Sequence, residues 1–156
     1  MEILKKVTDI DFNKLLDKGF NFFIFDFDNT INTWKEKEIP NEIIEIFEFL
    51  KKKNAKILIL SNGKPRPLNY DIETIWLAKK PLPFKFKKYI VNNYGKKNNF
   101  KFAMIGDQIF TDMLFGLFIK AYLIKVNPID TNHEFFVTKI LRKFEKILLN
   151  FSKHML

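Results

Sequence analysis

Asn21-Phe-Phe-Ile-Phe-Asp26-Phe-Asp28-Asn-Thr30 decides the fold. Phe22 to Phe25 are apolar without a break and run directly into two carboxylates one residue apart, followed by a hydroxyl. An uninterrupted apolar run is the pattern of a parallel strand covered on both faces, and open α/β sheets gather reactive groups at the carboxyl ends of such strands. Asp26 and Asp28 are thereby placed where a ligand can reach them. Like charges this close repel unless a cation or a proton offsets them, so the pair calls for a metal or for one carboxyl acting as an acid. A plain turn would also account for Asp28-Asn29-Thr30, since all three residue types bond their own backbone in turns.

Three further strand ends weigh against the plain turn. Ile57-Leu-Ile-Leu60 runs into Ser61-Asn62-Gly63, Thr74-Ile-Trp-Leu-Ala78 into Lys79-Lys80-Pro81, and Phe102-Ala-Met-Ile105 into Gly106-Asp107-Gln108, with Thr111-Asp112 close behind. The order is carboxylates, hydroxyl, ammonium, carboxylates. Between these runs lie helical patterns. Pro40 to Lys53 places Ile43, Phe47 and Leu50 on one face, with glutamates early and lysines late, as the helix macrodipole favours. Further helices are predicted near 10–18, 83–94, 111–118 and 132–151, and strands near 56–60, 74–78, 101–105 and 121–126. Such alternation implies an α/β fold, a doubly wound parallel sheet with right-handed crossovers.

These residues resemble the haloacid dehalogenase superfamily of phosphotransferases, whose signature is Asp-x-Asp-x-Thr, then Ser or Thr, then Lys, then an acidic pair. The resemblance covers roughly residues 20 to 130 and implies a Rossmann-like core. It looks closest to the small class III phosphatases of the YqeG type, through Lys80-Pro81, Gly106-Asp107-Gln108 with Thr111-Asp112, and Val126-Asn127-Pro128-Ile129. Two places depart from that pattern: Asn62-Gly63 stands where a pair of Asn is expected, and Leu117-Phe118 where a polar Asn-Arg is usual. Cap domains of this superfamily enter after the first motif or between the second and third. Here Ile31 to Ile39 and Lys64 to Glu73 are too short to fold one, so an uncapped core is expected, with residues 1–156 as a single domain.

Phosphoryl transfer needs an in-line nucleophile, a cation, fixed donors for the remaining charge and a proton source for the leaving oxygen. Asp26 is the expected nucleophile, forming an aspartyl-phosphate. Asp28 is the expected acid, later the base for water. Oxygen donors suit Mg²⁺, with Asp26, the Asp28 carbonyl, Asp107 and Asp112 as candidate ligands. Thr30, Ser61, Asn62 and Lys80 are the candidate phosphate-binding residues. Lys80 is chosen over Lys79 because the family lysine directly precedes a proline, and Pro81 also confines it to extended geometry. Asp112 has a second role open to it, capping the helix that follows.

The 156 residues suffice for one core, and no cysteine is present for disulfides or thiolate metal sites. No window reaches the ~18 apolar residues of a membrane span. A cytoplasmic protein is expected, with a peripheral membrane role open to it. With 27 basic and 18 acidic residues the net charge is +9, which favours phosphate-bearing partners. The lysines are scattered, so a nucleic-acid site is not expected. Near the C-terminus Val137, Ile140, Leu141, Phe144, Ile147, Leu148 and Phe151 recur at three and four, with Lys139, Arg142, Lys143 and Lys146 largely off the stripe. This amphipathic basic helix is expected to pack on the sheet as its last layer, the alternative being contact with an anionic bilayer.

Taken together, these features predict a Mg²⁺-dependent phosphomonoesterase. The resemblance extends to mitochondrial-type phosphatidylglycerophosphate phosphatases and implies a phospholipid head group as substrate. Phosphates on nucleic-acid ends or sugars are the alternatives. A receiver-like phospho-aspartate module uses similar parts, but it carries its phosphorylated Asp after the third strand, where this chain has Lys79-Lys80. A catalytically idle binding protein is disfavoured by the intact Asp28.

Overall fold

The computed structural model describes residues 1–132, 134 and 136–154, with residues 151–154 as backbone only. Six strands form one all-parallel sheet: β1 (Glu2–Leu4), β2 (Phe22–Phe25), β3 (Lys56–Leu60), β4 (Thr74–Ile75), β5 (Phe102–Gly106) and β6 (Tyr122–Val126), in the spatial order β1-β6-β5-β2-β3-β4. Around it lie α1 (Phe12–Asp17), α2 (Asn41–Lys52), α3 (Phe84–Tyr94), α4 (Leu114–Phe118) and α5 (Phe136–His154).

The central strand β2 explains the doubly wound arrangement. All four of its residues are buried, and they alternate between two cores. Phe23 and Phe25 join Phe12, Phe47 and Leu50 on one side, while Phe22 and Ile24 join Phe86, Ile90 and Phe115 on the other. Period-two side-chain alternation thus needs a helical layer on each face. α2 carries Ile43, Phe47 and Leu50 inward, and past its C-cap Lys53 comes Asn54, whose φ of 58° suits a short polar side chain after a helix.

Several elements differ from the sequence expectation. β1 is additional: three residues on an outer edge, with Ile3 exposed, carry too little pattern to be read. β4 stops at Ile75, whereas the apolar run continues to Ala78. The rest of that run folds back over the end of β3, with the Leu77 and Ala78 amides donating to the carbonyls of Gly63 and Ser61 at 3.0 and 2.9 Å. The predicted helix over 111–118 is a π-helical turn, Ile109–Met113, followed by the short α4. The segments 31–39 and 62–73 are connections without a folded insertion.

The order of strand addition reverses at β2: β3 and β4 lie to one side, β5 and β6 to the other. The ends of β2 and β5 therefore flank the crevice where ligands bind in such sheets. Phe47 is fully buried and packs edge-on to Phe25 at 5.1 Å. Phe47→Ala should destabilise the fold by about 3–5 kcal/mol, read from urea denaturation.

Candidate active site

Asp26 follows β2, Ser61 follows β3, Lys80 lies beyond β4, and Asp107 follows β5. Asp26, Ser61 and Lys80 line one cleft of about 270 Å³ together with Asp28 and Asn62, while the fully buried Asp107 lies behind its wall. Oxygens of Asp26, Asp107 and Asp112 all lie within 4.8 Å of one another, and all three residues are buried.

Lys80 holds this acidic group together. Its buried ammonium donates to Asp26 Oδ1 at 2.6 Å and to Asp112 Oδ1 at 2.5 Å. Burial disfavours the ammonium, but Asp112 and Asp26 outweigh it and raise its pKa above the ordinary lysine value. Lys79 has a φ of 62° and is exposed. Asn62 fixes the backbone of Lys80 from both sides: its side-chain oxygen accepts from the Lys80 amide at 2.7 Å, and its nitrogen donates to the Lys80 carbonyl at 3.2 Å.

The acids are short of positive charge. Burial pushes the Asp26 carboxyl well above its ordinary value, opposed by Lys80, with Asp112 and Asp107 adding to the rise. Burial likewise raises Asp107 to about 6, with Asp112 adding to it and Arg142 opposing it. Thr30 bridges the pair, its hydroxyl lying 3.4 Å from Asp26 Oδ2 and 3.3 Å from Asp107 Oδ1. It thus orients carboxylates in addition to any contact with a ligand.

Asp112 reaches the cluster because of the π turn, a feature that recurs at functional sites. Its Oδ2 accepts from the Gln108 amide at 3.0 Å. Gly106 leaves the space, since a Cβ there would overlap the Asp112 side chain.

Asp28 is set apart from the other acids. Its carboxylate accepts from Arg66 Nη2 at 2.5 Å, from the Lys35 amide at 3.0 Å and from the Ser61 hydroxyl at 3.4 Å. Gly63 donates its amide to Ser61 Oγ at 2.9 Å, and a Cβ at Gly63 would come within 2.9 Å of Asp28 Oδ2. A second Asn at position 63 would crowd the acid, which gives the Asn62-Gly63 departure a local physical reason.

Sequence reading missed the residues that brace the site from a distance. Arg142 is buried. It donates to Asp107 Oδ2 at 2.5 Å and pairs with Glu134, which also accepts from Asn29 Nδ2 at 2.7 Å. Glu145, on the same face of α5, accepts from the amides of Ile109 and Phe110 at the start of the π turn. Grouping Arg142 with the outward lysines is therefore corrected. No spacing rule links positions 107, 134 and 142. The one available signal was an arginine and a glutamate three residues apart on a single helix.

A model of the family described as mitochondrial PGP phosphatase matches residues 3–128 of the chain. The chain belongs to this family. It is also 30% identical, over 157 residues, to the probable phosphatase YqeG of Bacillus subtilis (strain 168), a match spanning 97% of this chain and 90% of the relative. No solved structure matches. Both findings place the chain among the YqeG-like phosphatases of the haloacid dehalogenase type, and it is a phosphatase. The receiver-like and idle-binder alternatives are thereby set aside.

Lys80→Ala should lower kcat by about a hundredfold or more, because it leaves buried carboxylates without their counter-charge. Lys79→Ala should stay within about threefold of the parent, as expected for an exposed charge. Steady-state kinetics on an aryl phosphate reads both.

Proposed function

We propose that the protein is a Mg²⁺-dependent phosphomonoester hydrolase that works through an aspartyl-phosphate on Asp26 and acts on a phospholipid head group at an anionic bilayer. The cluster of Asp26, Asp107 and Asp112 carries the hydrolytic part of this reading. With Glu134 and Glu145 it gathers five carboxylates against the three buried cations Lys80, Lys125 and Arg142. The uncompensated negative charge and the hard oxygen donors fit Mg²⁺, held by the three aspartates. When bound, the ion would neutralise phosphate oxygens and polarise phosphorus.

The side chains divide the remaining work. Asp26 Oδ attacks phosphorus in line, the bond from phosphorus to the leaving oxygen breaks, and Asp28 delivers its proton to that oxygen. Asp28 then accepts a proton from water as the water attacks the aspartyl-phosphate, returning both carboxyl groups to their starting states. Lys80 and the Ser61 hydroxyl stabilise the transferring group, and Asn62 keeps Lys80 in place.

The lipid part rests on α5. Its inward side is polar, carrying the buried Arg142 and Glu145, while Phe136, Val137, Ile140, Phe144, Ile147 and Leu148 are exposed. The apolar stripe does not pack on the sheet as its last layer, which corrects the sequence expectation. The Phe151 side chain lies outside the described residues. Half-buried Leu141 carries the stripe down to the catalytic cleft, and exposed Lys139, Lys143 and Lys146 follow one edge of it. No helix among the described residues is long and apolar enough to cross a membrane. A helix of this kind lies in a bilayer interface, where each nearby lysine contributes about 1 kcal/mol with anionic lipid.

Three experiments test this. Asp26→Asn should abolish turnover, whereas Asp28→Asn should still phosphorylate Asp26 from a substrate with a good leaving group and then stall, detectable as trapped phosphoprotein. Chelation should remove activity and Mg²⁺ restore it, with Mg²⁺ affinity falling as pH drops through about 6, because Asp107 must lose its proton to bind. For the lipid, the protein should sediment with anionic but not zwitterionic liposomes at low salt. Replacing Lys139, Lys143 and Lys146 by Gln should weaken sedimentation while aryl phosphatase activity persists. Absence of anionic liposome binding would remove the lipid reading.

A further inference from the structure

A second cavity, of about 480 Å³, lies on the polar side of α5 and shares only Glu134 with the catalytic cleft. It runs between that helix and the end of β6, where Asn127 and Pro128 follow the strand. These two belong to the Val126-to-Ile129 motif, for which the catalytic chemistry has no use. Lys125 enters the cavity from β6, and Lys139, Arg142, Lys143 and Lys146 enter it from α5. The last four stand at i, i+3, i+4 and i+7, so they share one face of the helix.

The charge in this cavity is unbalanced. Its acids are Glu134 and Glu145, and both are engaged elsewhere. Glu134 accepts from Arg142 and Asn29, and Glu145 from the amides of Ile109 and Phe110. Five cations thus face two carboxylates. Lys125 is only 6% exposed, and its ammonium donates to the carbonyls of Asp107 and Val126 at 2.9 and 3.3 Å. An ammonium has three donors, so one is left over. The Lys139 ammonium donates to the Asn132 carbonyl at 3.1 Å, while Lys143 and Lys146 are exposed on flexible stems. Like charges gathered in a concavity repel one another and attract a counter-ion. Rotatable ammonium donors around a recess suit the compact charge of a phosphate.

We propose that this cavity is a second anion site, separate from the catalytic cleft, which holds a single phosphate group. Inorganic phosphate and the phosphodiester of a lipid head group present the same ionised oxygens to it. The bilayer reading above needs only diffuse attraction of Lys139, Lys143 and Lys146 to many lipids. A saturable site that fills in solution, with no membrane present, is a different claim and stands or falls separately.

Equilibrium dialysis of the full chain against labelled inorganic phosphate, at low ionic strength and in EDTA, tests the site. Chelation leaves the catalytic carboxylates without a cation, so the cleft repels phosphate and the bound label reports the second cavity. One phosphate per chain should bind, with Kd of about 1 mM or tighter. Lys143→Gln with Lys146→Gln should weaken it about tenfold, the scale of one lost charge-assisted hydrogen bond. Lys87→Gln with Lys88→Gln removes as much charge from exposed positions on α3 and should change Kd by less than about twofold. Lys125→Met should also weaken binding; thermal unfolding reports whether that variant folds, and the α5 pair decides if it does not. Displacement of the label by monomeric dioctanoyl phosphatidylglycerol would assign the site to a lipid head group, and retention of the label to free phosphate; both support it. No saturable binding, an unchanged Kd in the α5 pair, or equal weakening in the α3 pair would each overturn it.

Discussion

Repulsion among buried carboxylates is the constraint on which the rest of the structure turns. Asp26, Asp107 and Asp112 converge within 4.8 Å, and all three are buried. Such an arrangement is costly unless counter-charge is built in beside it. Lys80 supplies part of it from beyond β4, and Arg142 supplies more from α5. Both cations are buried, so each depends on the acids as much as the acids depend on it. The acids still outnumber the cations beside them, so the cluster could hold a metal ion and is not a closed ion-pair network.

Holding these groups in register takes devices that stiffen backbone and not merely side chains. Asn62 clamps the Lys80 peptide, Glu145 caps the first amides of the π turn, and Asn29 ties the first catalytic loop to Glu134. α5 thereby braces the candidate site through its polar side. Its apolar side faces out, the inverse of an ordinary surface helix. One helix thus touches the buried acidic cluster on one side and presents an apolar face on the other, without any inserted cap.

Much of the site was legible because its parts sit at strand ends. Asp26 and Asp28, Ser61, Lys80, Asp107 and Asp112 each follow an apolar run, and a parallel sheet must bring those ends to one edge. Choosing Lys80 over Lys79 needed the proline after it, and the structure buries the first and exposes the second. Arg66, Glu134 and Arg142 were not legible as site residues. Their roles come from loops and a helix whose approach to the sheet no local pattern encodes.

The sequence by itself determined the strand and helix alternation, the all-parallel sheet and the order of chemical groups along its edge, because burial on two faces writes period and composition into local stretches. Only tertiary structure decided where β4 ends, that residues 109–113 form a π turn, and which side of α5 faces inward. In each case a contact distant in sequence overrode the local preference: Ser61 and Gly63 carbonyls for the residues after β4, Glu145 for the π turn, and Asp107 for Arg142. A buried charge pair requires its partner wherever that partner lies in the chain, so the polar side of α5 turned to the core and its hydrophobic stripe was left outside.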